Sequence, residues 1–260
     1  MNAEAVLDLF RAVILAAVLL SLFRFIGLEK FSARLVFFSL AIACILLTDL
    51  YWLSYDILRP EVRMPFAANE FGEWALFLLL GAALSSGHPI RFQEAGTELL
   101  CTVLFAAANV GLWIGWSGEW VQDVLTGLSV AYFLCALVSQ IKQEHAFSRT
   151  DWRLLGLLCT ILIAAQTATF FVPEGARRKL DLCCYLLLFA AAAVFLFRAA
   201  RSILKDTDPA QGVCHAFAAF AWVIITMYMS EGTFYPVSFA LSAICFPLMY
   251  LALKKEVTAV

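Results

Sequence analysis

A succession of long apolar segments constrains the fold of this chain more than any other feature. Nine segments, each about 18–23 residues long, are mostly hydrophobic and are separated by short polar links. A transmembrane helix needs roughly 17–25 such residues. The segments are residues 7–27, 35–57, 68–86, 96–115, 121–141, 153–172, 181–203, 213–230 and 236–253. The sequence therefore predicts an all-α, polytopic transmembrane helix bundle with about nine spans.

The third segment is the least apolar, and it leaves one alternative open. It crosses the membrane fully only if Asn69, Glu70 and Glu73 belong to the helix. If these residues stay at the surface, the segment is half-inserted and the chain has eight spans. The links between segments are short in either case, so we expect a single transmembrane domain over residues 1–260 and no soluble domain.

The composition excludes several classes of protein. Hydrophobic residues make up 63% of the chain and charged residues only 15%, whereas soluble domains carry about 25% charged residues. The formal net charge of -2 offers no electrostatic attraction for nucleic acid. The amino terminus has two acidic residues before its first base and no cleavage site of the A-x-A type, so we expect the first segment to remain as a membrane anchor.

The distribution of lysine and arginine predicts an orientation. With nine spans, twelve basic residues lie on one side and six on the other. Because cytoplasmic loops carry the excess of basic residues, the amino terminus is predicted outside and the carboxyl terminus in the cytoplasm, in the plasma (inner) membrane. The run from Arg177 to Lys179 lies against this rule. Acidic residues outnumber bases on the predicted outer side, which makes that rim acidic.

Polar residues near the outer ends of the second and third segments form the candidate site. Asp49, Trp52 and Asp56 are spaced i, i+3 and i+7, so they share one helix face. The link between the two segments is short, and the segments therefore form an antiparallel hairpin. An ionised carboxylate is costly against lipid, so these faces should turn towards the bundle interior. The predicted ligand-binding residues are Asp49, Trp52, Asp56, Asn69, Glu70, Glu73 and Asn109.

Asp49 is the strongest candidate, because it lies deepest and has no basic residue within a helical turn. Tryptophans also concentrate towards the outer side, and carboxylates beside aromatic faces can bind a cation. A structural interpretation competes at each position. Asp56 can pair with Arg59, the glutamates can pair with Arg63 or lie among the headgroups, and Asn109 can hold helices together by hydrogen bonding.

Motifs typical of membrane enzymes and pigments are missing. The three histidines form no HExxH arrangement, no GxSxG elbow occurs, and no CxxC or Cys/His cluster predicts a metal site. Every lysine lies near a helix end or in a link, which excludes a retinal Schiff base within a helix. We therefore predict no cofactor, and we recognise no catalytic motif. An acid pair formed by Asp49 with Glu70 or Glu73 could still catalyse hydrolysis, so an intramembrane hydrolase is the third hypothesis.

Two functions use an acidic, tryptophan-lined outer pocket. The first is transport of a small molecule or cation, with a carboxylate binding the substrate or a coupling proton. The alternative is a membrane sensor or accessory subunit that binds a ligand and acts through a partner. The expected partners are accordingly the lipid bilayer and a cationic small molecule, together with a protein partner or a second copy of the chain. No nucleic acid is expected.

Overall fold

The computed structural model describes residues 3–28, 31–58, 68–87, 89–90, 92–204, 208–229 and 234–259. These residues form helices and connecting turns and contain no β-strand. The helices are α1 (Ala3–Leu28), α2 (Ala33–Leu58), α3 (Ala68–Gly87), α4 (Phe92–Ser117), α5 (Trp120–Gln143), α6 (Arg149–Thr169), α7 (Glu174–Leu204), α8 (Pro209–Met229) and α9 (Phe234–Ala259). The prediction of an all-α polytopic bundle is confirmed.

Eight of the helices in the described residues are long and apolar enough to cross a membrane, and the exception is α3. This helix nevertheless has 20 residues, a length of about 30 Å. Near its start Gly72 contacts Thr48 of α2. At its end Arg34, from the start of α2, donates to the carbonyls of Ala83 and Leu84. The ends of α3 therefore lie at opposite faces of the bundle, which favours nine crossings over eight.

The helices alternate in direction, so the bundle has two distinct faces. The amino-terminal face contains the starts of α1, α3, α5, α7 and α9, and the carboxyl-terminal face contains their ends. Ion pairs between a helix start and a helix end, such as Asp151 with Arg198, fit this arrangement. The first and last described residues, Ala3 and Ala259, consequently lie at opposite faces. Which face is outside, and in which membrane, stays a prediction.

Helix α8 is the centre of the bundle. It packs against α5, α7 and α9, and its residues from Gly212 to Ile224 are nearly all buried. The ring of Phe133 on α5 lies 6.4 Å from that of Phe217 and 6.0 Å from that of Phe220, measured between centroids. In contrast, α6 buries only Leu162. Helix α6 is therefore a peripheral helix that faces lipid along most of its length.

Several charged groups at the carboxyl-terminal face form ion pairs or hydrogen bonds with residues at helix ends. Arg34 forms an ion pair with Glu256 of α9 and donates to Ala83 O and Leu84 O at 3.1 and 3.3 Å, near the end of α3. Ser148 and Asp151 form a capping box at the start of α6. In these contacts the charges of Arg34, Glu256 and Asp151 stabilise helix ends and have a structural role.

Candidate functional site

An ion pair between α1 and α2 is buried near the amino-terminal face. Asp49 is only 1% exposed, and Nε of Arg11 donates to its Oδ2 at 2.7 Å while Nη2 contacts Oδ1. The guanidinium also lies over the ring of Phe239 from α9, 3.7 Å from the centroid. Two parallel contacts of this kind are the strong form of an arginine–carboxylate pair. Asp49 thus faces the bundle interior, and its partner comes from another helix.

A cavity of about 230 Å³ lies beside this ion pair, and we call it the terminal cavity. Five helices contribute to its wall: α1, α2, α3, α8 and α9. Its lining comprises Leu7, Asp8, Arg11, Thr48, Trp52, Glu73, Met227, Tyr235, Pro236 and Phe239. Acidic and aromatic side chains therefore meet at one place near the amino-terminal face.

Glu73 is held in the wall of the terminal cavity by a tyrosine. The hydroxyl of Tyr228, at the end of α8, donates to Glu73 Oε2 at 2.8 Å. The ring of Tyr228 in turn lies 5.8 Å from that of Trp113 on α4. The hydrogen bond connects α3 to the central helix and orients one carboxylate oxygen. Because the other oxygen has further acceptor capacity, Glu73 can contact a ligand without losing this bond.

Acidic residues outnumber basic ones around the terminal cavity. Among the described residues, Asp8 and Glu73 line it, Asp49 lies next to it, and Arg11 is the one base in its lining. Full ionisation of these four side chains would leave two negative charges in excess. Aromatic rings of Trp52 and two residues of α9 complete the wall. This combination of carboxylates and ring faces is suited to a cation.

The structure brings together only some of the residues that the sequence singles out. Trp52 and Glu73 line the terminal cavity, and Asp49 is joined to it through Arg11. Glu70 instead accepts a bond of 3.4 Å from the Gln122 amide. Asn109 is 5% exposed, donates to the carbonyl of Phe105 in its own helix at 2.8 Å and lines a different, much smaller cavity. The side chains of Asp56 and Asn69, and all of Arg59 and Arg63, lie outside the described residues.

Four residues of this region are missed by reasoning from the sequence: Asp8, Arg11, Tyr228 and Tyr235. They belong to α1, α8 and α9, far from the hairpin of α2 and α3 along the chain. The sequence did contain a signal for Arg11, because this base lies inside the first apolar segment and a charge at membrane depth needs a partner. The tyrosines carry no such signal, since that residue is common at membrane interfaces.

Comparison with known proteins identified no relative of this chain. No protein-family model matches the chain, and searches of curated proteins and of solved structures found no match. Within the described residues, no group of three or more His, Cys, Asp or Glu side chains is placed to hold a metal ion. The terminal cavity and its charges are therefore the features of the molecule that bear on its function.

Proposed function

We propose that this integral membrane protein binds a small cationic molecule in the terminal cavity and transports it across the membrane. One observation carries the proposal: charged and aromatic side chains lie together at one cavity. The charged groups are Asp8, Glu73 and the adjacent Arg11–Asp49 pair, and the rings are those of Trp52 and Tyr235. Carboxylates supply charge, and the faces of aromatic rings attract a cation that has left part of its hydration shell.

The depth of the ion pair supports a functional role. Asp49 lies nine residues before Leu58, the end of α2, which is about 14 Å along the helix axis. Ionisable groups at such depth are costly, and they mark ligand or ion pathways more often than ordinary packing. A purely structural pair would be replaceable by apolar side chains of similar volume, often without loss of stability.

The ion pair also offers a way to couple binding to movement. A cation that enters the terminal cavity competes with Arg11 for Asp49, and Arg11 joins α1 to both α2 and α9 through its contacts. Weakening these contacts frees α1 to shift against its neighbours. Towards the carboxyl-terminal face the core is filled by Phe38, Phe217 and Phe246, so a substrate crosses only if helices rearrange.

A ligand sensor is the second candidate, and one observation favours it. The nine described helices run without interruption between their ends, whereas transporter sites often lie where helices are broken. In a sensor the same cation would change the packing of α1, and a partner protein at the carboxyl-terminal face would respond. The binding site is common to both candidates, and only transport separates them.

Thermal unfolding of the detergent-purified protein tests the binding step. The panel consists of choline, tetramethylammonium, spermidine, Na⁺, K⁺ and Mg²⁺ as chloride salts, compared at equal ionic strength. A ligand at 100 times its Kd stabilises the folded state by about 2.7 kcal/mol. We expect at least one cation to raise Tm for the wild type and for Glu119→Gln, a carboxylate at the same face outside the terminal cavity. Glu73→Gln should lose the effect.

Flux measurements in liposomes then separate the two candidates. The cation that raises Tm is loaded on one side of proteoliposomes, and its movement is followed with the wild type and with Glu73→Gln. Uptake by the wild type alone supports transport, and binding without uptake supports a sensor. The proposal is rejected if no cation shifts Tm, or if Glu73→Gln responds like the wild type.

A further inference from the structure

A second and larger cavity lies in the other half of the bundle, between α4 and α6. We call it the lateral groove. Its volume is about 660 Å³, within the range of about 300–1,000 Å³ that is usual for small-molecule sites. Side chains of α4, α5, α6, α7 and α8 line it, and most of them are apolar. It has no lining residue in common with the terminal cavity.

The lateral groove opens towards lipid. Among its lining residues, Cys101 and Leu104 on α4 and Thr160 and Ala164 on α6 are exposed at the surface of the bundle. Leu104 alone is 60% exposed. Both helices are long and apolar enough to cross the membrane, so these residues face acyl chains. A molecule can therefore enter the groove sideways from the bilayer.

The length of the lateral groove corresponds to one leaflet. On α4 its lining runs from Thr97 to Ala108, about 16 Å along the helix axis. On α6 it runs from Trp152 to Ala164, about 18 Å. The hydrocarbon core of a bilayer is about 30 Å thick. The groove thus extends from the carboxyl-terminal face to about the middle of the membrane.

Opposite charges stand at the interfacial end of the lateral groove. Glu98 forms an ion pair with Lys142 of α5, and both side chains remain partly exposed, at 25% and 32%. The ammonium of Lys142 lies 5.7 Å from the ring centroid of Trp152. An anionic and a cationic group side by side complement a headgroup that carries both charges. Phosphate would contact Lys142, and an ammonium group would contact Glu98.

We propose that the lateral groove binds one phospholipid with a zwitterionic phosphate–ammonium headgroup, with an acyl chain along the groove and the headgroup at Glu98 and Lys142. The groove suits an acyl chain because its lining is apolar, it opens sideways to lipid, and its length corresponds to one leaflet. The ion pair suits the headgroup. This proposal does not depend on cation binding in the terminal cavity, because the two sites have separate residues.

Native mass spectrometry of the detergent-purified protein tests the acyl-chain site. The probes are phosphatidylethanolamine, phosphatidylglycerol and diacylglycerol with identical chains. Gly156→Leu places a side chain in the lateral groove, where a Cβ at this position meets no atom within 4 Å. Gly111→Leu on α4 is the matched control, because its Cβ also meets no atom within 4 Å and it does not line the groove.

We expect the wild type and Gly111→Leu to retain one phosphatidylethanolamine, and Gly156→Leu to retain it about tenfold less. Equal retention by the two glycine variants would overturn the proposal. If the wild type is a dimer that Gly156→Leu dissociates, while lipid retention is unchanged, the groove is an interface with a second copy and the lipid site is wrong.

Headgroup recognition is tested by removing one charge at a time. The wild type should retain phosphatidylethanolamine about tenfold better than diacylglycerol. Lys142→Gln should reduce this preference, because the phosphate loses its cation. Glu98→Gln should shift the selection towards phosphatidylglycerol, since Lys142 then faces the anionic head without a competing carboxylate. Retention of all three lipids to the same extent by the wild type would contradict a headgroup site.

Discussion

Arg11 and Asp49 stabilise each other because both side chains are buried and each neutralises the charge of the other. Asp49 is 1% exposed and Arg11 is 7% exposed, and the two groups make paired contacts. The depth of Asp49 in its segment predicts that it faces the interior, because the alternative is a carboxylate against lipid. The identity of its partner does not follow from the depth, since any base on any neighbouring helix would satisfy the same requirement.

Substitution of one partner should destabilise the protein more than substitution of both. Arg11→Leu leaves Asp49 as an unpaired buried charge, and we expect the free energy of unfolding to fall by about 3–5 kcal/mol. The double variant Arg11→Leu/Asp49→Leu removes both charges and should lose less. Denaturant unfolding in detergent measures the difference.

The exposed pair of Arg178 with Glu174, at 3.6 Å, is the control for the buried pair. Surface ion pairs contribute little to stability, so Arg178→Leu should leave the unfolding midpoint close to that of the wild type. A double Arg11/Asp49 variant that is as unstable as the sum of its two single variants would show that the two side chains act independently.

At the scale of helices, close approach depends on small residues. A Cβ on Gly127 of α5 would overlap Cγ2 of Val110 on α4, while Cβ of Val110 lies at 3.5 Å. Helices in a membrane associate through packing and hydrogen bonds rather than a hydrophobic driving force, and small residues allow their backbones to approach. The glycine is visible in the sequence, but the valine opposite it depends on how α4 and α5 are aligned.

Gly127→Ala should be destabilising and Val110→Ala should compensate for it. The added methyl group overpacks the contact, and we expect a loss of about 1–3 kcal/mol in the free energy of unfolding. With Val110→Ala the overlapping Cγ2 is gone, so the double variant should lose less than the two single variants together.

Gly111→Ala is the control for this contact, because nothing lies within 4 Å of the added Cβ. Alanine in an open helical position is favoured over glycine by roughly 0.5–1 kcal/mol, so this variant should be neutral or slightly stabilised. Thermal unfolding of the four variants and the wild type makes the comparison. Strict additivity of Gly127→Ala and Val110→Ala would contradict the contact.

At the scale of the whole molecule, whether α3 crosses the membrane determines the side of the membrane on which each later link between helices lies. Because α3 begins with acidic residues, its composition does not decide whether it crosses the membrane. It is also less apolar than a membrane span requires, unlike the other eight helices in the described residues. Its contacts with α2 at Gly72 and at Ala83 nevertheless extend along most of its length. A crossing by α3 makes the number of crossings odd, which would place Ala3 and Ala259 on opposite sides of the membrane.

Labelling of single cysteines with a membrane-impermeant maleimide tests this topology. Asp8 and Ser117 lie at the amino-terminal face. In a cysteine-free background, the variants Asp8→Cys and Ser117→Cys should therefore react with reagent added outside intact cells. His145→Cys, in the turn between α5 and α6, should react only after the membrane is opened, since basic residues concentrate at its face. Opposite labelling of Asp8→Cys and Ser117→Cys would mean that α3 does not cross.

The sequence by itself determined the class of fold, the approximate helix bounds and the inward orientation of Asp49. These properties follow from hydropathy and from the cost of a charge in lipid, which are local to each segment. Only the tertiary structure decided that Arg11 neutralises Asp49, that Tyr228 holds Glu73, and that Asn109 lies apart from the terminal cavity. Contacts of this kind depend on the rotation and alignment of helices distant in the chain, and apolar segments that resemble one another carry little information about either.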